Sequence, residues 1–212
     1  MEANFWHRKW ADNEIGFHAS EANPLLVKHF GALSLTTGSR VFVPLCGKTL
    51  DIAWLLAQGY RVVGAELSRL AIEQLFEGLG VKPEIAQVGN ILHFRAESID
   101  VFVGDIFDLS AETLGQVDAV YDRAALVALP EDMRKRYTRH LLEITQSAPQ
   151  LLITFEYDQS LQPGPPFSIS SAEVEQHYSD HYALTLAESQ DVAGGLKGKC
   201  AATESAWLLH NS

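Results

Sequence analysis

A chain of 212 residues with 47% hydrophobic content can bury one sizeable core and is short for two, so a single domain over 1–212 is the expectation. Its 16 basic and 27 acidic residues leave a net charge of −11, which repels nucleic acid and anionic membranes at long range and favours a small-molecule partner. Cys46 and Cys200 stand far apart with no C-x-x-C, no apolar run reaches the length of a membrane span, and the N-terminus MEANFWHRKWADNE lacks an apolar core; a soluble, reduced, cytoplasmic monomer without a zinc site is expected.

Residues 1–38 precede the first strand and carry Trp6, Trp10 and Phe17, with a helix expected from Pro24 to Leu33. A segment outside the sheet yet rich in aromatics is a candidate lid. Arg40 to Leu45 (RVFVPL) has β character, and Thr49 to Gln58 repeats its apolar residues at helical spacing until Gly59. Arg61 to Leu67 (RVVGAEL) is a second strand. Ser68 caps the next helix, whose face is Ile72, Leu75, Phe76 and Leu79, and Gly80 ends it. Between Val88 and Gly104 the pattern is a hairpin inserted ahead of the third parallel strand, Ile99 to Val103. Val117 to Tyr121 and Gln150 to Tyr157 supply two more strands, separated by a helix that starts near Pro130. The capping box at 170–173 (SSAE) opens a helix to about Ser179. Tyr182 to Gln190 and Cys200 to Leu209, joined by AGGLKG, leave no room for a crossover helix and must pair antiparallel. The expected fold is α/β and doubly wound: a mostly parallel seven-stranded sheet ending in an antiparallel hairpin, the Rossmann-like layout of class I methyltransferases.

The loop VFVPLCGKTLD invites a phosphate-binding reading. A P-loop needs G-x-x-x-x-G-K-[ST], and five positions before Gly47 stands Phe42. The dinucleotide fingerprint fails too, because Gly47 is the only glycine between Gly38 and Gly59. In doubly wound sheets the ligand lies beyond the carboxyl ends of the strands, which gathers residues 44–48, Glu66 and residues 104–107 around one crevice. Glu66 closes the second strand, where a carboxylate can accept both hydroxyls of a ribose. That arrangement serves NAD and S-adenosylmethionine alike, and spacing does not choose between them. The missing pyrophosphate glycines argue against NAD.

The strings FWHRKW, GFHASEANPLL, FVPLCGKTLDIAWL, VVGAELS, GDIFDL, YDRAALVAL, YDQSLQPGPPF and ESAWLL resemble, in order and over nearly the whole chain, the thiopurine S-methyltransferase family. The resemblance implies transfer of a methyl group from S-adenosylmethionine to sulfur of aromatic or heterocyclic thiols, and in some bacterial members a link to selenium and tellurium compounds. It also implies roles for particular residues. Trp10 matches the lid tryptophan at the cofactor, Leu45 the loop residue beneath it, and Glu66 the ribose acceptor. Asp105 and Ile106 match the pair lining the adenine pocket, Arg123 the arginine at the cofactor's reacting end, and Phe17 an aromatic near the acceptor. Where many members read SIFDL this chain reads DIFDL, so the Ile106 backbone is the firmer half of that pair.

Several residues carry a plainer reading. Cys46 is small-residue packing rather than a nucleophile, because the donor is already activated. His177 and His181 share i, i+4 spacing but lack a third ligand and are expected at the surface. Arg134, Lys135, Arg136 and Arg139 read as a solvated helix face, and Lys48 as a residue that meets solvent. Asp122 could act as a base in principle, but a carboxylate that fixes the loop beside Arg123 is favoured. No catalytic base is assigned. Beside the methyltransferase reading stand a module that binds the cofactor or an aromatic ligand without turnover, and a disfavoured P-loop phosphotransferase.

Overall fold

The computed structural model describes residues 3–12, 14 and 21–211. In chain order they form α1 (Ala3–Ala11), α2 (Pro24–His29), β1 (Arg40–Pro44), α3 (Leu50–Ala57), β2 (Arg61–Glu66), α4 (Arg69–Leu79), β3 (Glu84–Val88), β4 (Ile91–Ala96) and β5 (Ile99–Val103). Then come α5 (Ala111–Leu114), β6 (Ala119–Arg123), α6 (Glu131–Thr145), β7 (Gln150–Tyr157), α7 (Ser171–Tyr178), β8 (Tyr182–Asp191) and β9 (Ala202–Asn211). The sheet order is β3-β4-β5-β2-β1-β6-β7-β9-β8. β5, β2, β1, β6 and β7 run parallel, while β9 pairs antiparallel with β7 and β8.

The sheet has nine strands where the sequence reading counted seven. All seven are present; the extra two, β3 and β4, are the inserted hairpin, which adds antiparallel to the edge at β5. It starts at Glu84, earlier than the expected Val88, because exposed positions 84–87 have no apolar alternation to announce a strand. The strand expected at 117–121 runs 119–123, so Arg123 is its last residue. The helix expected to Leu33 is α-helical to His29 and tightens to a 3₁₀ turn over Phe30–Leu33.

Alternation along the strands builds two cores. Val41, Val43, Val62, Tyr121, Leu151 and Ile153 face α2, α3 and α4, meeting Leu26, Phe30, Ile52, Leu55 and Ile72. Phe42, Val63, Val120 and Leu152 face α6 and α7, meeting Tyr137, Leu141, Ile144 and Val174. Each fully buried aliphatic among them, such as Ile52 or Leu55, contributes about 1.5–3 kcal/mol. Helix ends follow their caps. Thr49 Oγ1 accepts from Asp51 N at the start of α3, Ser68 Oγ from Ala71 N at the start of α4, and Gly80, at φ +68°, closes α4. Among the described residues no helix is long and apolar enough to cross a membrane.

Candidate functional site

From β1 the chain winds one way to β2 and β5, then returns to place β6 on the other side of β1. The crevice of a doubly wound sheet opens at that reversal. The residues that leave β1 and β6 there, Leu45 at φ +47° and Ala124 at φ +66°, both adopt the left-handed conformation although neither is glycine. Such strain costs on the order of 1 kcal/mol or more at each position and persists only where neighbours over-determine it, most often around functional sites.

Glu66 gathers three of the surrounding loops. Its Oε2 accepts from Gly47 N at 2.8 Å, its Oε1 from Ser68 N at 2.8 Å, and its backbone carbonyl from Gly104 N at 2.9 Å. The loop after β1, the cap of α4 and the exit of β5 therefore share one residue. Burial raises the Glu66 carboxyl above its ordinary pKa, and the Ser68 and Gly47 amides oppose that rise by donating to it. Behind the loop Cys46 is buried, with its thiol pushed well up by burial and then by Glu66, so it is no thiolate nucleophile at neutral pH. A Cβ on Gly64 would come within 2.9 Å of Cys46 Sγ, which is why a glycine stands inside β2.

Trp10, on α1, is buried, and its indole fills the space a side chain at Gly47 would need: a Cβ there would lie 3.0 Å from Trp10 Cζ2. Gly47, at φ +52°, so satisfies a left-handed turn and a close tryptophan at once. On the β6 side, the Arg123 side chain is 17% exposed, and its Nη1 lies 3.6 Å from Oδ2 of Asp51. Asp51, in the first turn of α3, is fully buried and also accepts from Tyr121 Oη at 2.9 Å and Asn23 N at 2.7 Å. Ile106 is buried after β5, where its carbonyl accepts from His140 Nε2 at 2.8 Å, and the Asp105 carboxylate caps the turn at Phe107 N.

The family model for thiopurine S-methyltransferase (TPMT) matches residues 1–209. The chain belongs to the thiopurine S-methyltransferase family. Thiopurine S-methyltransferase of Xanthobacter autotrophicus is 55% identical over 213 residues, covering 100% of both chains. That of Teredinibacter turnerae is 54% identical over 209 residues, 99% of this chain and 97% of the relative. Among solved structures, the Burkholderia thailandensis 1,6-didemethyltoxoflavin-N1-methyltransferase, with bound 1,6-didemethyltoxoflavin and S-adenosylhomocysteine, superposes with TM-score 0.67 at 16% identity. It covers 99% of this chain and 87% of its own, and at that identity shows the fold alone. The protein is an enzyme, an S-adenosylmethionine-dependent methyltransferase of the Rossmann-like class I fold. Membership sets aside the reading as a module without turnover. The phosphotransferase reading fails on geometry, since the Gly47 N–H that would meet a phosphate donates to a carboxylate instead.

In this thiopurine S-methyltransferase family member Leu45, Glu66, Ile106 and Arg123 stand at or just beyond the carboxyl ends of β1, β2, β5 and β6, and Trp10 lies against Gly47 in the loop after β1, while Phe17 lies outside the described residues. Sequence reasoning missed Asp51 and Asn23. An acid two residues after a helix cap was the available signal, but it has the same appearance as ordinary N-terminal charge on a helix. Three plain readings need correction. Arg134 is buried rather than solvated, pairing with Glu173 at 2.5 Å and donating to the Leu129 carbonyl. The His177 side chain is only 5% exposed and packs between Thr138 and Glu173, because α7 lies on α6 there; His181 alone is exposed. Lys48 does more than meet solvent, donating to Gln74 Oε1 at 2.8 Å and so tying the loop to α4. No group of three or more metal-ligating side chains occurs among the described residues.

Asp122 faces away from the crevice. Successive strand residues alternate faces, so Tyr121 and Arg123 point to the α3 side and Asp122 to the α6 side, fully buried. There it accepts from Leu126 N at 3.1 Å and Tyr137 Oη at 2.7 Å, fixing the turn that follows Arg123. Burial raises its pKa to about 6, against those donors. A carboxyl whose folded pKa exceeds the unfolded value stabilises the protein fully below the unfolded value and loses that contribution as pH rises through about 6. Relative to Asp122→Asn, the wild type should gain on the order of 2–3 kcal/mol between pH 7 and pH 4. Urea unfolding of both proteins across that range measures it, and a constant difference would show that Asp122 titrates normally.

Proposed function

We propose that this crevice binds S-adenosylmethionine and that the enzyme methylates the sulfur of aromatic or heterocyclic thiols such as thiopurines, with selenium and tellurium nucleophiles as further acceptors. The observation that carries it is the state of Glu66. A carboxylate offers about four acceptor positions; Gly47 N and Ser68 N take one on each oxygen and the Leu67 amide also acts on it, so acceptor capacity remains for a ribose hydroxyl. The loop above offers no phosphate cradle, which suits a donor that carries no phosphate. Trp10 and Leu45 bound the cofactor from the N-terminal and loop sides, Ile106 lines the adenine end, and Arg123 stands at the reacting end.

When bound, S-adenosylmethionine supplies a methyl group on a positively charged sulfur, ready for in-line displacement. What the chain contributes is placement. Holding nucleophile and electrophile on one line is worth roughly 7–11 kcal/mol. The buried loops around Glu66 fix one partner, and the N-terminal aromatics exclude water from the other. Aryl thiols and thiopurines are appreciably ionised near neutral pH, so no general base is required. Asp122, with both oxygens engaged on the far face, supports that reading.

The whole chain then works as one catalytic domain, residues 1–38 serving as its lid, in a monomeric, cytoplasmic enzyme whose net charge of −11 keeps nucleic acid away. Product mass analysis after incubation with a labelled methyl donor and a panel of thiols, thiopurines and selenium or tellurium anions tests the acceptor class. Methylated aryl thiols are expected; transfer confined to nitrogen or oxygen acceptors would overturn it. Removing residues 1–20 should lower turnover far more than it lowers unfolding stability. Full turnover in that truncation would remove the lid.

A further inference from the structure

The Arg123 guanidinium poses an electrostatic problem: a cation at the reacting end repels a cationic methyl donor. We propose that Asp51 is a positioning residue whose buried negative charge offsets Arg123, so that the crevice accepts a sulfonium, and which ties that balance to the start of α2. This inference rests on the placement of S-adenosylmethionine proposed above.

Three contacts converge on Asp51. Its Oδ2 lies 3.6 Å from Arg123 Nη1 and accepts from Tyr121 Oη at 2.9 Å, and its Oδ1 accepts from Asn23 N at 2.7 Å. The carboxylate is fully buried, and Arg123, largely buried itself, is the cation it faces. A buried carboxylate beside one guanidinium makes a nearly neutral pair, with the arginine's donors still able to reach a substrate or cofactor atom. Asn23 extends the link: its Oδ1 caps α2 through Leu25 N and Leu26 N, and its Nδ2 donates to Glu204 Oε1 at 3.2 Å. The residue that receives the chain from the N-terminal segment is therefore held by the same carboxylate that faces Arg123.

A structural role and a charge role part company on one comparison. S-adenosylmethionine carries a sulfonium, whereas S-adenosylhomocysteine has a neutral thioether and is otherwise alike. Dissociation constants for both, measured by calorimetry on wild type, Asp51→Asn, Arg123→Met and the double variant, give the test. In Asp51→Asn the ratio of the S-adenosylmethionine constant to the S-adenosylhomocysteine constant should rise on the order of tenfold, and Arg123→Met should cancel that rise. An unchanged ratio in folded Asp51→Asn, even with both affinities lowered, would overturn the proposal. If Asp51→Asn does not fold, Asp51→Glu keeps the charge and should preserve the ratio; a tenfold change there would equally overturn it. Absence of binding of either ligand to wild-type protein would instead sink the assignment of the crevice, whereas wild-type constants in Arg123→Met would also overturn the proposal, because the charge that Asp51 offsets would then not act on the ligand.

Discussion

Glu66→Ala should weaken S-adenosylhomocysteine binding by roughly 1.5–3 kcal/mol, about 10- to 150-fold, the range for hydrogen bonds to a charged group. The effect has two sources. One is loss of the acceptor proposed for the ribose. The other is local: Gly47 N and Ser68 N both lose their partner, and a buried N–H left unpaired costs about 1–3 kcal/mol. Unfolding stability should therefore fall with affinity. Glu66→Gln separates the two, since its amide oxygen can still accept from one of the backbone amides while its NH₂ faces the other. Calorimetry and urea unfolding on both variants decide the matter. A wild-type dissociation constant in Glu66→Ala would remove Glu66 from the ligand site, whatever the stability.

Gly104→Ala is expected to damage fold and site together. Gly104 leaves β5 at φ +155°, a conformation that L side chains rarely adopt, and donates its N–H to the Glu66 carbonyl. A Cβ there would lie 2.5 Å from Ile91 Cγ2 and 3.2 Å from Ile91 Cβ, and Ile91 is itself buried at the start of β4. Ile91, buried and fixed in β4, cannot yield easily. Overpacking and backbone strain together should cost on the order of 2–4 kcal/mol, and the exit of β5 should move away from Glu66, lowering cofactor affinity as well. Ile91→Ala removes the worse contact while opening a cavity, so the loss in the double variant should be smaller than the sum of the two single losses. Additive losses would show that the clash is not the cause.

Both predictions concern residues whose position in the chain already marks them, and that reflects how the site is built. Strand ends, caps and turns are local. Residues 44–48, Glu66 and residues 104–107 follow from where the strands' apolar runs stop, because a parallel strand buried on both faces must be continuous and apolar until it reaches the crevice, and the resemblance singles out Leu45 and Ile106 within them. The inserted hairpin was legible as a hairpin, but its outer strand was not, because exposed Glu84–Gln87 carries no pattern that burial would impose. Arg134 and His177 looked solvated for the converse reason. Each lies on a helix face that a second helix covers, and only docking of α7 on α6 gives Arg134 its Glu173.

The sequence by itself determined the alternation of strands and helices, the crevice at the carboxyl ends, the failure of both phosphate loops and the family, since hydrophobic period, glycine placement and the order of uncommon strings are properties of neighbours in the chain. Tertiary structure alone decided which charges meet. Asp51 finds Asn23, Tyr121 and Arg123 across 28, 70 and 72 positions of sequence, and Trp10 finds the gap at Gly47 across 37. Coulomb interaction and desolvation depend on distance in space and on burial, neither of which the spacing of residues along a chain records.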